Sequence, residues 1–528
     1  MRYSMLLFLA IIGIACAGGN HGAAVTPVAA AAADDLKTQS PDTTIQGFTA
    51  VDGADLMARL EAAQTRARSR QTPYWSAYTF DVRPGVAVDP AIRDFNGSMN
   101  TIGETTVFFG TNSAGVTVET RNLAIFLLRD PASNQITRME IYNLERKREY
   151  GGYPVYWLGR ANNEESLNYL RALAAAAPLD MLSERAVLGI SLHDDARVAG
   201  MLKSFISSSP NQRIRSSSVY WLGQVGGETT FLATLVRSET EDKKIRRSAA
   251  HAIGESRDRG TIPTLQSLYQ DVKDTEIRKS VISAAGNSPD EQAAWTFLLG
   301  IAKNDADWES RRTAVRQLGD FKRDDAAEEI MKIYNNDANL DVKRAALHSL
   351  AETKNPRAQA RLMEIARTET NPELRKSAIR VMSDRGEAAV EDLLKLFDSE
   401  QSADVKRSIL QTLSDIKSTR VEDKLFEVAK GNDAMDVRRQ AIRLLGERAS
   451  KRSFEFLSAT AQSTDGNTEV QMQAVRAISE RRADESVPIL IKIARTHPNQ
   501  AVRKQAIRAL GESGDPRAID FFKEVLTK

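Results

Sequence analysis

The fold is decided by the segment Ala501-Val502-Arg503-Lys504-Gln505-Ala506-Ile507-Arg508-Ala509-Leu510-Gly511-Glu512, which is followed by Asp515-Pro516-Arg517-Ala518-Ile519. Its apolar residues recur at three- and four-residue spacing, which predicts a helix, and Asp-Pro predicts a turn before a second helix. The segment recurs upstream at intervals of 31 to 33 residues. The anchor residues, equivalent to Val502, are Ile214, Ile245, Ile277, Ser310, Val342, Leu374, Val405, Val437, Val470 and Val502. This period predicts an array of repeats that bury their apolar faces on one another.

Each repeat is predicted to contain two helices, A and B. In the copy that starts at Asp341, that residue is expected to cap helix A, and Val342, Ala346 and Leu350 form its apolar line. Small residues recur at the positions equivalent to Ala346, which indicates that neighbouring A helices approach closely. Asn355-Pro356 predicts the turn into helix B.

Two weaker copies precede the regular ones, at Tyr156-Trp157-Leu158-Gly159 and Ala186-Val187-Leu188-Gly189. With them the array contains about twelve units and spans residues 153–528. The pattern resembles the short bacterial HEAT-like repeats that also occur in phycobilisome-lyase proteins. The resemblance implies a mainly α fold, a right-handed α-solenoid whose B helices line the concave face. The B segments include Glu422–Lys430, Ser486–Arg495 and Pro516–Val525.

Residues 51–152 are predicted to form a small α+β domain with an antiparallel sheet. Leu56, Met57 and Leu60 have helical spacing, and β-branched or aromatic runs separated by turn residues follow. Residues 18–50 are rich in Ala and Gly without periodicity, which predicts a flexible linker.

Residues 1–17 are predicted to be a signal peptide. Arg2 precedes an apolar run, Met5 to Ala15, that is too short to span a bilayer. Two interpretations remain open for Cys16. Gly13-Ile14-Ala15-Cys16 resembles a bacterial lipobox, which makes Cys16 the candidate lipidation site, although Leu is preferred where Gly13 stands. Alternatively, cleavage after Ala17 removes the cysteine. Both predict export to the periplasm or cell envelope.

The composition argues against several classes of function. The chain has 72 Lys and Arg against 70 Asp and Glu, so it lacks the basic excess of nucleic-acid binders. Its single cysteine excludes intramolecular disulfides and Cys-based metal sites. His193-Asp194-Asp195 has no partner ligands in the pattern, and His251 and His348 lie three repeats apart. We therefore predict no cofactor, no metal and no catalytic residue.

Three charged columns follow the anchor positions on the A helices. The first contains Arg247, Lys279, Arg312, Arg344, Lys376, Arg407, Arg439 and Lys504. The second contains Tyr220, His251, Ser283, Arg316, His348, Arg380, Gln411, Arg443, Arg476 and Arg508. The third contains Glu255, Asn287, Asp320, Glu352, Asp384, Asp415, Glu447, Glu480 and Glu512. The basic columns alone would suit an anionic polymer. Acids four residues after bases favour a ladder of ion pairs that cancels the charge.

Aromatic residues cluster early in the array, and Tyr156, Trp157, Tyr220 and Trp221 are the candidate partner-binding residues. A packed junction between the α+β domain and the first repeats is the other interpretation.

These observations predict a non-catalytic, exported scaffold that binds another protein along its concave face. The partner is a protein and not a nucleic acid, membrane contact occurs only through a lipid anchor, and the chain is a monomer. Two alternatives remain: an enzyme or regulator acting through the α+β domain, and a binder of an anionic polymer.

Overall fold

The computed structural model describes residues 47–90, 96–111, 116–176, 180–258, 260–353, 355–448, 450–464 and 466–527. The predicted signal peptide, Cys16 and most of the predicted linker lie outside these residues. The chain divides into two compact units. The N-terminal unit contains the described residues up to Leu173 together with Leu192–Asp195, and the repeat unit contains the others.

The N-terminal unit contains eight strands and two helices among its described residues. The strands are β1 Thr49–Ala50, β2 Tyr74–Thr79, β3 Ala87–Val88, β4 Asn96–Ile102, β5 Thr105–Thr111, β6 Leu123–Arg129, β7 Ile136–Asn143 and β8 Val155–Arg160. Helix α1, Leu56–Arg68, begins after Asp55, whose side chain accepts a hydrogen bond from the Ala58 N–H. Helix α2 spans Asn163–Ala176. This composition confirms the predicted α+β domain.

Two sheets form this unit, one with the order β1-β8-β2-β6-β7 and one with the order β3-β5-β4. The pairs β2–β6, β6–β7, β3–β5 and β4–β5 are antiparallel, as predicted. Strand β8 instead runs parallel to both β1 and β2. A parallel pair requires a long connection, and residues 80–154, which join β2 to β8, contain β6 and β7 of the same sheet.

Strand β8 corrects the prediction for Tyr156-Trp157-Leu158-Gly159, which is not a repeat helix. Its neighbour β1 also lies inside the predicted linker of residues 18–50. On one sheet face, Trp157 packs with Trp75, Phe126 and Tyr142 in the aromatic core. The N-terminal domain therefore continues past the predicted boundary at residue 152.

The repeat unit contains eleven A–B helix pairs within the described residues. The A helices are α3 Asp180–Ser191, α5 Gln212–Val225, α7 Lys243–Glu255, α9 Thr275–Gly286, α11 Trp308–Gly319, α13 Leu340–Glu352, α15 Pro372–Val381, α17 Ala403–Ser414, α19 Met435–Glu447, α21 Thr468–Ser479 and α23 Gln500–Glu512. The B helices are α4 Arg197–Ser208, α6 Thr229–Arg237, α8 Thr261–Asp271, α10 Glu291–Asn304, α12 Ala326–Asn336, α14 Pro356–Thr368, α16 Val390–Ser399, α18 Thr419–Lys430, α20 Lys451–Gln462, α22 Ala483–Thr496 and α24 Pro516–Leu526. A 3₁₀ segment, Met382–Ala389, joins α15 to α16.

Asn and Asp side chains start eight of the A helices by accepting hydrogen bonds from otherwise unpaired backbone N–H groups, and Ser402 does so for α17. In α13 the cap is Asn339, which accepts from the N–H groups of Asp341 and Val342. The predicted cap, Asp341, is instead a first-turn residue, where its charge suits the helix dipole. The error is two residues, because Asn339 and Asp341 are both good capping residues.

Neighbouring A helices pack at small residues. A Cβ added to Gly223 would lie 2.6 Å from the Ala252 carbonyl oxygen, one added to Gly446 would lie 2.8 Å from the Ala477 Cβ, and one added to Gly254 would clash with Ala284. The A helices contact each other more extensively than the B helices do. The prediction that the B helices line a concave face stays a prediction.

Candidate binding surface

The exposed side of the A helices forms the candidate site, and we call it the A face. It contains the residues two, six and ten positions after each anchor, here positions +2, +6 and +10. The anchor itself, with positions +4 and +8, points into the core, as Val342, Ala346 and Leu350 do in α13. Helical geometry therefore places the three charged columns at the surface.

Five of the eight basic residues at position +2 are neutralised within their own helix by an acid three residues earlier. Arg344 Nη1 lies 2.7 Å from Asp341 Oδ1, and Lys376 Nζ lies 3.3 Å from Glu373 Oε1. Three further pairs have this spacing: Lys279–Glu276, Arg407–Asp404 and Arg439–Asp436. An acid that precedes the base is the favourable order for a helix pair. Position +2 therefore contributes little free positive charge to the A face.

Positions +6 and +10 contain the predicted ladder at only some steps. Arg508 Nε lies 3.1 Å from Glu512 Oε1, and Arg443 also pairs with Glu447. Three other steps make no ion pair within 4.0 Å among the described residues: Arg316 with Asp320, Arg380 with Asp384, and Arg476 with Glu480. A base that precedes its acid is the less favourable order, which explains why the prediction is wrong there.

Burial shifts the pKa values of titratable groups in the middle of the A face. Burial raises the pKa of Glu352, and the neighbouring Asp320 and Asp384 carboxylates raise it further. Burial likewise raises the pKa of Asp320. The pKa of His348 is lowered by burial and by the Arg316 guanidinium. Cationic and anionic groups therefore lie close together in this part of the A face.

A groove of about 480 Å³ opens between α21 and α23. Its wall carries two bases, Arg476 and Arg508, and two acids, Glu480 and Glu512. It is a concave part of the A face that presents both signs of charge to a ligand.

The earlier part of the A face has fewer charges. Position +6 is Tyr220 in α5 and Ser283 in α9, and position +10 is Gln224 in α5. Gln224 Nε2 donates to Glu255 Oε2 over 3.1 Å, and burial raises the pKa of Glu255. A partner that follows the A face therefore meets a weakly charged segment and then a strongly charged one.

The four predicted partner-binding aromatics pack inside their own units. Tyr156 meets Tyr74 edge to face with ring centroids 5.6 Å apart, and Trp157 lies 5.9 Å from Phe48. Trp221 is buried in α5, and the half-buried Tyr220 ring lies 4.9 Å from it. Burial leaves little of Tyr156, Trp157 and Trp221 for a partner to contact. Their binding role stays a prediction.

A further basic row, which was not predicted, lies at position +1. Most of these side chains, which we call clamps, reach the carbonyl end of the preceding B helix, an adjacent inter-repeat turn, or both, whereas Lys343 lies over the Tyr334 ring. Arg311 Nη1 donates to the Asp305 carbonyl oxygen over 2.9 Å, and its Nε lies 2.7 Å from Asp337 Oδ2. Arg246 donates to the Val236 carbonyl. The row contains Arg215, Arg246, Arg278, Arg311, Lys343, Arg375, Lys406, Arg438 and Arg503. Its signal was visible in the sequence as a base directly after nine of the ten anchors.

His193 belongs to a buried hydrogen-bonded chain in the N-terminal unit. Its Nε2 lies 2.8 Å from Ser166 Oγ, Ser166 donates to the Tyr78 hydroxyl over 3.2 Å, and the ring stacks on Phe80. Within the described ranges, no group of three His, Cys, Asp or Glu side chains is placed to hold a metal ion. In the same part of the chain, none of the helices has the length and apolar character needed to cross a membrane.

The family described as HEAT repeats matches residues 229–300, 295–383, 390–466 and 460–528. Solved structures with a similar fold include Kap121p bound to Pho4p, at 12% identity and a TM-score of 0.36, covering 69% of this chain and 47% of that one. The CpcE–CpcF complex of phycocyanin lyase from Nostoc sp. PCC7120 is 19% identical, with a TM-score of 0.24, covering 47% of this chain and 92% of that one. Human deoxyhypusine hydroxylase is 14% identical, with a TM-score of 0.23, covering 54% of this chain and 96% of that one. The chain spans about half the length of Kap121p. No curated protein matches it.

Proposed function

The chain belongs to the HEAT-repeat family, and from this premise we propose that it is a scaffold that binds a polypeptide partner along the A face. The observation that supports the proposal is the set of bases and acids at positions +6 and +10 that lie next to each other unpaired. Arg316 and Asp320, like Arg476 and Glu480, remain available to an incoming chain. Together with Arg380 and Asp384 they lie on or directly after α11, α15 and α21, so the contacts are spaced along an extended surface.

The mixture of signs favours a polypeptide over an anionic polymer. A protein segment carries both acids and bases and can match both columns. A polyanion that contacted Arg316 and Arg380 would also meet the carboxylates of Asp320, Glu352 and Asp384, which lie on the same face. The polymer would gain attraction and repulsion together, which removes the advantage of a basic stripe.

Binding of this kind rests on many weak contacts. An exposed ion pair contributes about 0.2–1 kcal/mol, so no single pair holds a partner. The charges are screened over roughly 8 Å at physiological ionic strength. We therefore expect association to weaken progressively as salt is added.

Reversal of three A-face charges tests the proposal. The variant Arg316→Glu/Arg380→Glu/Arg476→Glu removes unpaired cations from three helices. The matched control, Lys395→Glu/Lys451→Glu/Lys523→Glu, reverses three exposed cations on B helices. Photo-crosslinking from the A face in the native envelope identifies the partner, and its affinity for the purified variants is then measured.

We expect the A-face variant to lose at least tenfold in affinity and the control to change less than twofold. Equal losses in the two variants would refute the A face as the binding surface. Retention on heparin that survives moderate salt would favour the anionic-polymer alternative. The alternative in which the N-terminal unit acts as an enzyme or regulator stays a prediction.

We also propose that the scaffold is exported and works in the periplasm or cell envelope. The support is the sequence of residues 1–17, with its apolar run and Ala15-Cys16-Ala17. Mass spectrometry of the mature N-terminus tests this. A diacylglyceryl group on Cys16 indicates a lipid anchor, a start at Gly18 indicates a free protein, and an intact Met1 would refute export.

A further inference from the structure

Glutamine occupies the residue three positions after the anchor, position +3, in three consecutive A helices. These residues are Gln440 in α19, Gln473 in α21 and Gln505 in α23. In the A helices from α5 to α17 the same position is Ser, Thr or Ala. Positions +3 and +6 are neighbours on a helix surface, so each of the three helices places an amide beside its position +6 side chain.

Between α17 and α19 these groups form a closed network. Gln411, at position +6 of α17, supplies the acceptor. Its Oε1 accepts a hydrogen bond from Gln440 Nε2 over 3.0 Å and from Arg443 Nη2 over 2.7 Å. One amide oxygen of α17 therefore satisfies an amide donor and a guanidinium donor of the next A helix.

The equivalent groups between α21 and α23 have no such acceptor. Arg476, which carries only donors, stands in α21 where Gln411 stands in α17. It lines the groove of about 480 Å³ together with Gln505 and Arg508. Within the described residues, Arg476 makes no ion pair and the Gln505 side chain makes no hydrogen bond. Three donors therefore line the groove in the place where the earlier pair of helices has an acceptor oxygen.

The ion pair of Arg508 leaves it able to donate to a ligand. Its Nε lies 3.1 Å from Glu512 Oε1, and its Nη atoms have no hydrogen-bond partner in the described part of the chain. Arg443 divides its donors in the same way, because it pairs with Glu447 through Nη1 and donates to Gln411 through Nη2. A second guanidinium is therefore available in the groove.

The donor set favours a carboxylate over a neutral amide as the missing acceptor. Gln411 meets one cation, whereas the groove offers two cations and an amide. A carboxylate has two acceptor oxygens, and its hydrogen bonds to guanidinium groups are charge-assisted and frequently bidentate. The acids of the groove, Glu480 and Glu512, lie one turn further along at position +10. Glu447 has the same position in α19 and leaves the contact between Arg443 and Gln411 intact.

We propose that the groove between α21 and α23 binds the carboxylate of an aspartate or glutamate side chain of the partner, held by Arg476, Gln505 and Arg508. This inference rests on the A-face function proposed above and specifies the chemistry of one contact. A side chain is favoured over a chain terminus because the A face continues from the groove onto α19, so a segment that follows it passes through. The α17–α19 pair binds no carboxylate, since Gln411 already fills the equivalent place.

Acetate tests the site without the partner. The full chain is prepared with isotope-labelled glutamine, and the side-chain amide signals are followed by NMR at low ionic strength, where screening is weak. We expect acetate to shift the Gln505 signal. The Gln440 signal is the matched control and should stay unchanged, and acetamide, the neutral isostere, should shift neither. An unresponsive Gln505, or an equal response to acetamide, would overturn the proposal.

Exchange of the two position +6 residues tests the comparison between the helix pairs. Arg476→Gln supplies an internal acceptor and should weaken the binding of a blocked pentapeptide with one aspartate at least tenfold. Gln411→Arg removes the internal acceptor and should make the Gln440 signal respond to acetate. Circular dichroism checks that both variants are folded. Unchanged peptide affinity in the first variant, or a silent Gln440 in the second, would contradict the assignment.

An all-alanine pentapeptide with a free carboxyl terminus separates a chain end from a side chain. If it binds more tightly than the blocked aspartate peptide, the side-chain assignment is wrong. The A-face function is judged separately, from the partner's affinity for the A-face variant. If Gln505 responds to acetate and that variant binds the partner normally, the carboxylate site stands and the A-face function fails. If the variant loses the partner and Gln505 does not respond, the function stands and this inference fails.

Discussion

The same four residues, Tyr-Trp-Leu-Gly, form a strand in one unit and a helix in the other. At residues 156–159 they lie in β8, where Tyr156 and Trp157 point to opposite faces of the sheet. At residues 220–223 they lie in α5, where Trp221 and Leu222 enter the core and Tyr220 stays at its edge. The glycines differ as well: Gly159 has φ +70°, whereas Gly223 is helical and faces Ala252.

The flanking residues, not the tetrapeptide, decide the outcome. Gly151, Gly152 and Pro154 precede the first copy, and they break a helix before it can start. The second copy follows a capping Asn211 and the anchor Ile214, so it extends a helix that has already begun. A sequence match inside a repeat array therefore indicates a repeat helix only when a capping residue and an anchor residue precede it.

The largest effect is expected from removal of the two tryptophans. Trp157→Ala and Trp221→Ala should each cost about 3–5 kcal/mol, because each leaves a large cavity in a packed core. Hydrogen exchange resolved by mass spectrometry locates the loss. We expect Trp157→Ala to reduce protection in the N-terminal unit and Trp221→Ala to reduce it in α3 to α9. Loss of protection throughout the chain in both variants would contradict the expectation that each tryptophan stabilises its own region.

The contribution of a clamp to stability is expected to exceed that of an exposed ion pair. Arg311→Met leaves the Asp337 side chain, 6% exposed, without its base and should cost about 1–3 kcal/mol. Arg508→Met, which breaks an exposed pair, should cost less than about 0.5 kcal/mol. Urea unfolding measures both. Similar costs at the two positions would mean that the clamp does not stabilise the array.

Substitution of the two glycines separates strain from crowding. Gly223→Ala forces a Cβ against the Ala252 backbone and should cost about 1–2 kcal/mol, after the gain in helix propensity. Gly159→Ala should cost about the same through its positive φ. Asn tolerates that φ, so Gly159→Asn should recover part of the loss while Gly223→Asn should not. Recovery at both positions, in chemical denaturation, would contradict this assignment.

The smallest effect that we expect is a pH dependence of stability. Tyr220 occupies position +6 in α5, and His251 occupies the same position one repeat later, in α7. Burial and the nearby Arg247 charge lower the pKa of His251 below its ordinary 6.5. The unfolded chain then binds a proton that the folded chain does not, so stability is lost as pH falls below about 6.5. His251→Gln should flatten the stability profile between pH 7.5 and 5.5. An unchanged profile would contradict the lowered pKa.

The sequence was sufficient for the helix pairs because one period repeats the same local signals many times. It was insufficient for β8, whose parallel pairing with β2 joins residues far apart and leaves no local pattern. The A-face columns were placed correctly, since helical spacing determines which side chains share a surface. The ion pairs between positions +6 and +10 were predicted wrongly at some steps, because a base that precedes its acid is the less favourable order in a helix. The Arg311 clamp could have been found from its spacing alone.

The close contacts along the A row also have a mechanical consequence. Where Gly223 meets Ala252 and Gly446 meets Ala477, the glycine backbone lies against alanine backbone or methyl group, with no flexible side chain between. That row resists compression and shear, whereas the B helices, with fewer contacts to each other, can separate at lower cost. The array therefore has a stiff edge and a compliant edge. We therefore expect thermal fluctuation to open and close the B side while the spacing of the A-face charges stays nearly constant.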